Sequence, residues 1–140
     1  DNNGTLVDDL WKFDGSDWKQ LRDIANNDSD EDYDDDYAIT RAGTVSFVID
    51  GRGYIATGTR SGVTSDYWVY DPEEDLWYGD SDDDYTPMTN VHNVSSGGSS
   101  RSYAVSFSTG KRGFVLSGSS GTSYFDDVYE LLPYEQEDVD

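Results

Sequence analysis

The sequence predicts an all-β fold built from repeated four-stranded antiparallel units, on three observations. Eleven Tyr, four Trp and fourteen Gly are spread through 140 residues, a composition of short strands and tight turns. One stretch of the chain recurs at a fixed distance of sixty residues. Within it, small or polar residues alternate with apolar ones over short runs that end at Gly, Asp or Pro.

The repeat keeps its register over three segments. Arg41-Ala42-Gly43-Thr44-Val45-Ser46-Phe47 returns as Arg101-Ser102-Tyr103-Ala104-Val105-Ser106-Phe107. Gly53-Tyr54-Ile55-Ala56-Thr57-Gly58 returns as Gly113-Phe114-Val115-Leu116-Ser117-Gly118, and Asp66 to Tyr70 answers to Asp126 to Glu130. A third, incomplete copy opens the chain, where Asp8-Asp9-Leu10-Trp11-Lys12-Phe13-Asp14 and Trp18 match Asp66 to Asp71 and Trp77.

Each full unit divides into four strands. Gly43 to Ile49 alternates and stops at Asp50-Gly51, a hairpin turn pair. Gly53 to Thr57 is the second strand, broken by Gly58 and followed by a polar loop. Tyr67 to Tyr70 is the third. Asp71-Pro72-Glu73-Glu74-Asp75 is a turn with Pro preset at its second position. Leu76-Trp77-Tyr78 is the fourth, outer strand. A meander of this kind with recurring Gly and aromatic marks is the unit of a β-propeller, a blade.

The marks of the complete unit resemble the kelch motif. Arg41 opens the first strand, Gly58 closes the second, Trp68 and Tyr70 lie in the third, and Asp71-Pro72 and Trp77 follow. The usual Gly-Gly doublet is here a single Gly58 or Gly118. The Asp-rich connectors add a resemblance to the exported kelch-domain proteins of Bacteroidetes-type bacteria. The fold this implies is a partial kelch-type β-propeller of four-stranded antiparallel blades. In it Trp68, Tyr70, Trp77 and Phe47 fill the space between blades, Gly58 and Gly118 permit close backbone approach, and Arg41 and Arg101 pair with acids or carbonyls.

The expected organisation follows. Residues 1–24 end one blade with its outer two strands, and 25–40 form an acidic inter-blade loop. Residues 41–79 are a complete blade, and 80–100 an acidic and Gly/Ser-rich loop. Residues 101–133 are a last blade of three strands, and 134–140 an acidic tail. A propeller closes with about four to eight blades. The chain is therefore expected to be the C-terminal part of a longer propeller or, in second place, one subunit of an assembled ring.

Composition excludes several partners. A net charge of −21 repels phosphate backbones and anionic lipid surfaces, so neither nucleic acid nor membrane is expected. Without Cys there is no disulfide framework, thiolate metal site or Cys nucleophile. No apolar run approaches the roughly 20 residues of a membrane helix.

Acids cluster in the two connectors, Asp28 to Asp36 and Asp80 to Asp84. Asp28, Asp30 and Asp32, and likewise Asp80, Asp82 and Asp84, have the alternate spacing of a calcium loop. Calcium is the fitting cation because it takes roughly six to eight oxygen ligands. The Gly and Glu of an EF-hand are missing, and solvated acidic loops give the same pattern. Tyr33, Tyr37 and Tyr85 lie within or beside these acids, where aromatic faces and carboxylates suit a glycan or protein ligand; anchoring the loops is their other use.

An enzyme is not expected. His92 is the one histidine, and no G-x-S-x-G elbow is present. Copper oxidases that share kelch blades need several His ligands and a Tyr–Cys cofactor, which this composition cannot supply. The sequence therefore points to a non-catalytic binding or adhesion module, extracellular, at the cell surface, or in the periplasm or outer membrane. Its ligand, protein or glycan, would meet the loop-rich face. The alternatives are a section of a glycan-processing propeller enzyme whose catalytic residues lie in other blades, and a structural subunit that self-associates to complete the propeller.

Overall fold

The computed structural model describes residues 4–25, 39–79, 91–93 and 100–131. Among these residues lie ten strands and no helix, so the chain is all-β with antiparallel sheets. It divides into two units, Asp1–Arg41 and Ala42–Asp140.

In the first unit β1 (Trp11–Phe13) and β2 (Trp18–Gln20) form a hairpin. Phe13 faces Trp18 across it with ring centroids 5.0 Å apart. The turn is organised by Asp14, whose Oδ1 accepts the backbone N–H groups of Ser16 and Asp17, both at 2.9 Å. Those bonds, Asp17's first, hold the Asp14 carboxyl below its ordinary pKa.

The second unit holds two sheets. The first runs β3 (Val45–Ile49), β4 (Arg52–Thr59), β5 (Val63–Asp71), β6 (Leu76–Gly79), in that order and antiparallel throughout. The β3–β4 turn is Asp50-Gly51, with φ of 48° and 83°, the left-handed pair of a tight hairpin. Asp71 heads the β5–β6 turn much as Asp14 heads its own: Oδ1 accepts the Glu73 N–H at 2.9 Å. Its Oδ2 takes Arg52 Nε at 2.9 Å. The Glu73 bond and then Arg52 lower the Asp71 pKa.

The polar loop expected after Gly58 is shorter than its composition implies. β4 continues through Gly58 to Thr59 with a bulge between Ala56 and Gly58, and β5 already starts at Val63. The bulge lets the strand survive: Thr57 and Gly58 turn to φ of 61° and 103°, and pairing resumes at Gly58, opposite Thr64. A Cβ at Gly58 would sit 2.9 Å from the Ala42 carbonyl oxygen, so the position needs glycine. Ser117 and Gly118 repeat the device sixty residues on, with φ of 57° and 94° and the Ser102 carbonyl oxygen at 2.9 Å.

The second sheet contains β7 (Val91–Asn93), β8 (Val105–Ser108), β9 (Gly113–Leu116) and β10 (Val128–Leu131), ordered β7-β10-β9-β8. The three strands expected in 101–133 are present, and a fourth comes from a segment expected to be loop. Val91–Asn93 pairs antiparallel with β10, so the open edge of the last strand is met by chain that precedes the sheet.

Register refines the repeat. Ala56 pairs with Tyr67, whereas Leu116 pairs with Val128. The third strand is therefore offset by sixty-one residues, and Asp66 corresponds to Asp127. The core forms where the two sheets meet, β3 lying against β8 and β9. It takes Val45, Phe47, Ile49, Tyr54, Ala56, Tyr67 and Val69 from one face of the first sheet, and Val115, Tyr129 and Leu131 from the second. Aromatic side chains supply much of this area, about 150–250 Å² each. Of the four residues assigned to such packing, Phe47 and Trp77 are buried while Trp68 and Tyr70 are half-buried.

Candidate functional site

The acids and tyrosines singled out from the sequence, Asp28, Asp30, Asp32, Asp80, Asp82 and Asp84 with Tyr33, Tyr37 and Tyr85, all lie outside the described residues. What the structure does place is the frame from which they leave. On the first unit, Ile39 N–H donates to the Ile24 carbonyl at 3.1 Å, and Ile24 N–H to the Asp8 carbonyl at 2.7 Å. The Thr40 hydroxyl donates to Asp8 Oδ1. Residues 26–38 thus depart from and return to one hydrogen-bonded foot. The second connector departs from Gly79, opposite Trp68 in β5, and reaches β7.

His92 lies in β7 with its backbone opposite Glu130. Among the described residues no group of three or more His, Cys, Asp or Glu gathers to hold a metal ion.

The most buried charge in the described residues is Arg101, 1% exposed. Its guanidinium meets Asp127 through two bonds of 2.5 and 2.9 Å and the Ser117 carbonyl at 2.7 Å. It also lies 4.5 Å from the Phe125 ring centroid and 4.4 Å from that of Tyr129. The Arg101 hydrogen bonds hold the Asp127 carboxyl below the usual carboxylate range, against the opposing effect of burial. The first arginine of the repeat, Arg41, donates Nε to the Ile39 carbonyl at 2.8 Å. Acid and carbonyl partners for these arginines were expected, and their bonding is structural: planar bidentate contact, satisfied donors and flanking rings lock a turn.

A second arrangement was not found from sequence. The ring of Phe47 lies directly on Gly113, so close that a Cβ there would overlap it. Around this contact, Ser106 Oγ donates to the Ser46 carbonyl at 2.9 Å. Tyr103 N–H donates to the Gly43 carbonyl at 2.8 Å, and Asp50 N–H to the Gly110 carbonyl at 2.9 Å. Lys111 Nζ lies 3.1 Å from Asp50 Oδ1 at the rim. The signal was in the sequence: Gly53 and Gly113 recur at the start of a strand that otherwise prefers bulk.

The corresponding aromatic pair on the second sheet, Phe107 and Phe114, stacks at 4.6 Å, as Phe47 and Tyr54 do at 5.7 Å. Yet Phe107 is 50% exposed and Val105 64% exposed, whereas Phe47 and Val45 are buried. Compared with family models and with curated proteins, the chain matches none.

Proposed function

We propose that this chain is a section of a kelch-type β-propeller that works as a non-catalytic binding or adhesion module, outside the cell or at its surface. One observation carries the propeller reading. Two copies of a sixty-residue repeat form antiparallel sheets stacked through their first strands, each with the same left-handed kink at Gly58 or Gly118. Blade-on-blade stacking of meanders is how propellers are built.

The binding role is supported by the contrast between scaffold and connectors. The buried arginine and the aromatics serve packing, while the acids and tyrosines of residues 26–38 and 80–90 lie in connections between repeats. Rigid scaffolds commonly present recognition residues on such connections. Tyr33, Tyr37 and Tyr85 are the proposed stacking faces for a glycan or protein ligand. Asp28, Asp30, Asp32, Asp80, Asp82 and Asp84 are the proposed calcium ligands.

The test is a glycan array and an extracellular-protein array probed in parallel with the full chain at fixed calcium. Both are repeated with Tyr33, Tyr37 and Tyr85 changed to Ala. The expected result is a ligand whose binding falls roughly thirtyfold or more in the triple variant, with unchanged far-ultraviolet circular dichroism. A ligand bound equally well by the triple variant, or silence on both arrays, refutes the reading.

A further inference from the structure

We propose that the chain associates head to tail with a second copy of itself, the Val105 and Phe107 face of the second sheet on one copy seating on the Ser46, Val48 and Gly53 face of the first sheet on the next. The interface inside the second unit is the template. There the first sheet offers the face that carries Val45, Phe47 and Tyr54, and the second sheet answers with its opposite face, carrying Ser106, Gly113 and Val115. Unlike faces meet, so one half of the contact remains on each sheet.

Both remaining halves are present and open. Phe107 and Val105 stand where Phe47 and Val45 stand in the repeat, and they are 50% and 64% exposed. On the receiving face Val48 is 54% exposed and Ser46 is exposed. Gly53 stands where Gly113 stands, and among the described residues a Cβ there would meet only Tyr70, at 3.7 Å or beyond. Among the described residues no ring presses on Gly53 as Phe47 presses on Gly113. The polar contacts transfer as well. Ser46 can donate to the Ser106 carbonyl, and the Gly110 N–H to the Asp50 carbonyl, because each pair has the same groups with roles exchanged.

A contact between unlike faces is heterologous: it leaves one donor and one acceptor face free after every addition, and so extends or closes into a ring. The net charge of −21 on each copy opposes the approach, so association is strengthened by salt. The occupant is a second copy because both complementary faces are carried by this one chain. The inference rests on the two sheets being successive copies of one module, and does not involve the ligand. A monomeric chain would overturn it and leave the array experiment unaffected.

The experiment is native mass spectrometry and sedimentation of the full chain at about 0.3 M NaCl, where charge repulsion is screened beyond ~6 Å. Wild type, Phe107→Asp, Gly53→Val and an equimolar mixture of the two variants are compared. The expected result is concentration-dependent oligomers for wild type and monomers for each variant alone. The mixture should yield a one-to-one dimer that does not grow, since only one intact donor and one intact acceptor remain. Each substitution should raise the apparent Kd roughly thirtyfold. Circular dichroism matching wild type shows that the variants are folded; the exposed ring of Phe107, and the ordinary contact that a Cβ at Gly53 would make with Tyr70, make that the expectation. A wild type that stays monomeric at about 100 times the working concentration overturns the proposal. So does an oligomer broken by Phe107→Asp but untouched by Gly53→Val, because the Phe107 faces would then be pairing with each other.

Discussion

Replacing Gly113 by Ala places a methyl group where the Phe47 ring already lies. Gly113 does not have a left-handed φ, so its backbone accepts an L residue and the cost comes from the clash. Phe47 is 7% exposed and stacked on Tyr54, and so has little room to withdraw. Overpacking a filled core by one methyl costs about 1–3 kcal/mol. Gly53→Ala is the internal control, at the same place in the repeat with nothing nearer than Tyr70 Cβ at 3.7 Å. There the gain from reduced chain entropy is about 0.4–1 kcal/mol, and the change should be neutral or slightly stabilising. Urea unfolding at concentrations where the chain is monomeric reads both. With a slope of about 2 kcal/mol/M, Gly113→Ala should lower the midpoint by about 0.5–1.5 M and Gly53→Ala should not lower it. Adding Phe47→Leu removes the ring and should cancel most of the Gly113→Ala penalty, giving a coupling energy above about 0.5 kcal/mol. Equal effects at the two glycines, or a penalty unchanged by Phe47→Leu, would refute the packing argument.

Asp127→Asn leaves the Arg101 guanidinium buried without its counter-charge and should cost about 3–5 kcal/mol, measured as a lowered urea midpoint. Arg101→Met, which removes the buried cation as well, should cost less than Asp127→Asn; a larger cost would show that the pair itself drives folding. The Asp127 carboxyl has a lowered pKa when folded, so its contribution is full above the unfolded value of about 3.9 and is lost as pH falls through the folded value. Wild type should therefore lose stability as pH falls below about 5, and Asp127→Asn should show a flatter decline over the same range. Calorimetric titration of the full chain in chelator-treated buffer should give calcium heat that disappears when Asp28, Asp30 and Asp32 are changed to Asn. Absence of heat in the wild type removes the metal from the proposed function.

Much of the fold was legible because short-range chemistry sets it. Asp50-Gly51 and Asp71-Pro72 fix their turns through backbone preference and an Asx contact, and both stand where the composition puts them. Alternation in Val45 to Ile49 gives the buried face of β3 directly. Three features were hidden because they depend on distant chain. Gly58 reads as a strand breaker, but partners on both sides carry the strand through it as a bulge. Val91–Asn93 has too few residues to announce a strand and becomes one by pairing with β10. Phe47 and Phe107 are the same residue in the same local sequence, yet one is buried and the other open. The difference lies in which neighbour each sheet has, which no local pattern encodes. The one-residue offset that matches Asp66 to Asp127 is visible only in the pairing. For the candidate site the sequence supplies the acids and tyrosines, and the structure supplies the foot that holds one end of them.

That foot has a bearing on how the protein can change over time. The bonds joining Asp8, Ile24, Ile39 and Thr40 close the ends of residues 26–38 whatever lies between them. The entropy of closing a loop grows only with the logarithm of its length, so doubling the insert costs about 0.6 kcal/mol. Substitution, lengthening or replacement of that stretch therefore leaves the sheets nearly as stable as before. Selection can rewrite this stretch while the architecture stays fixed, and an engineer can graft a foreign peptide between Ala25 and Ile39 for the same reason.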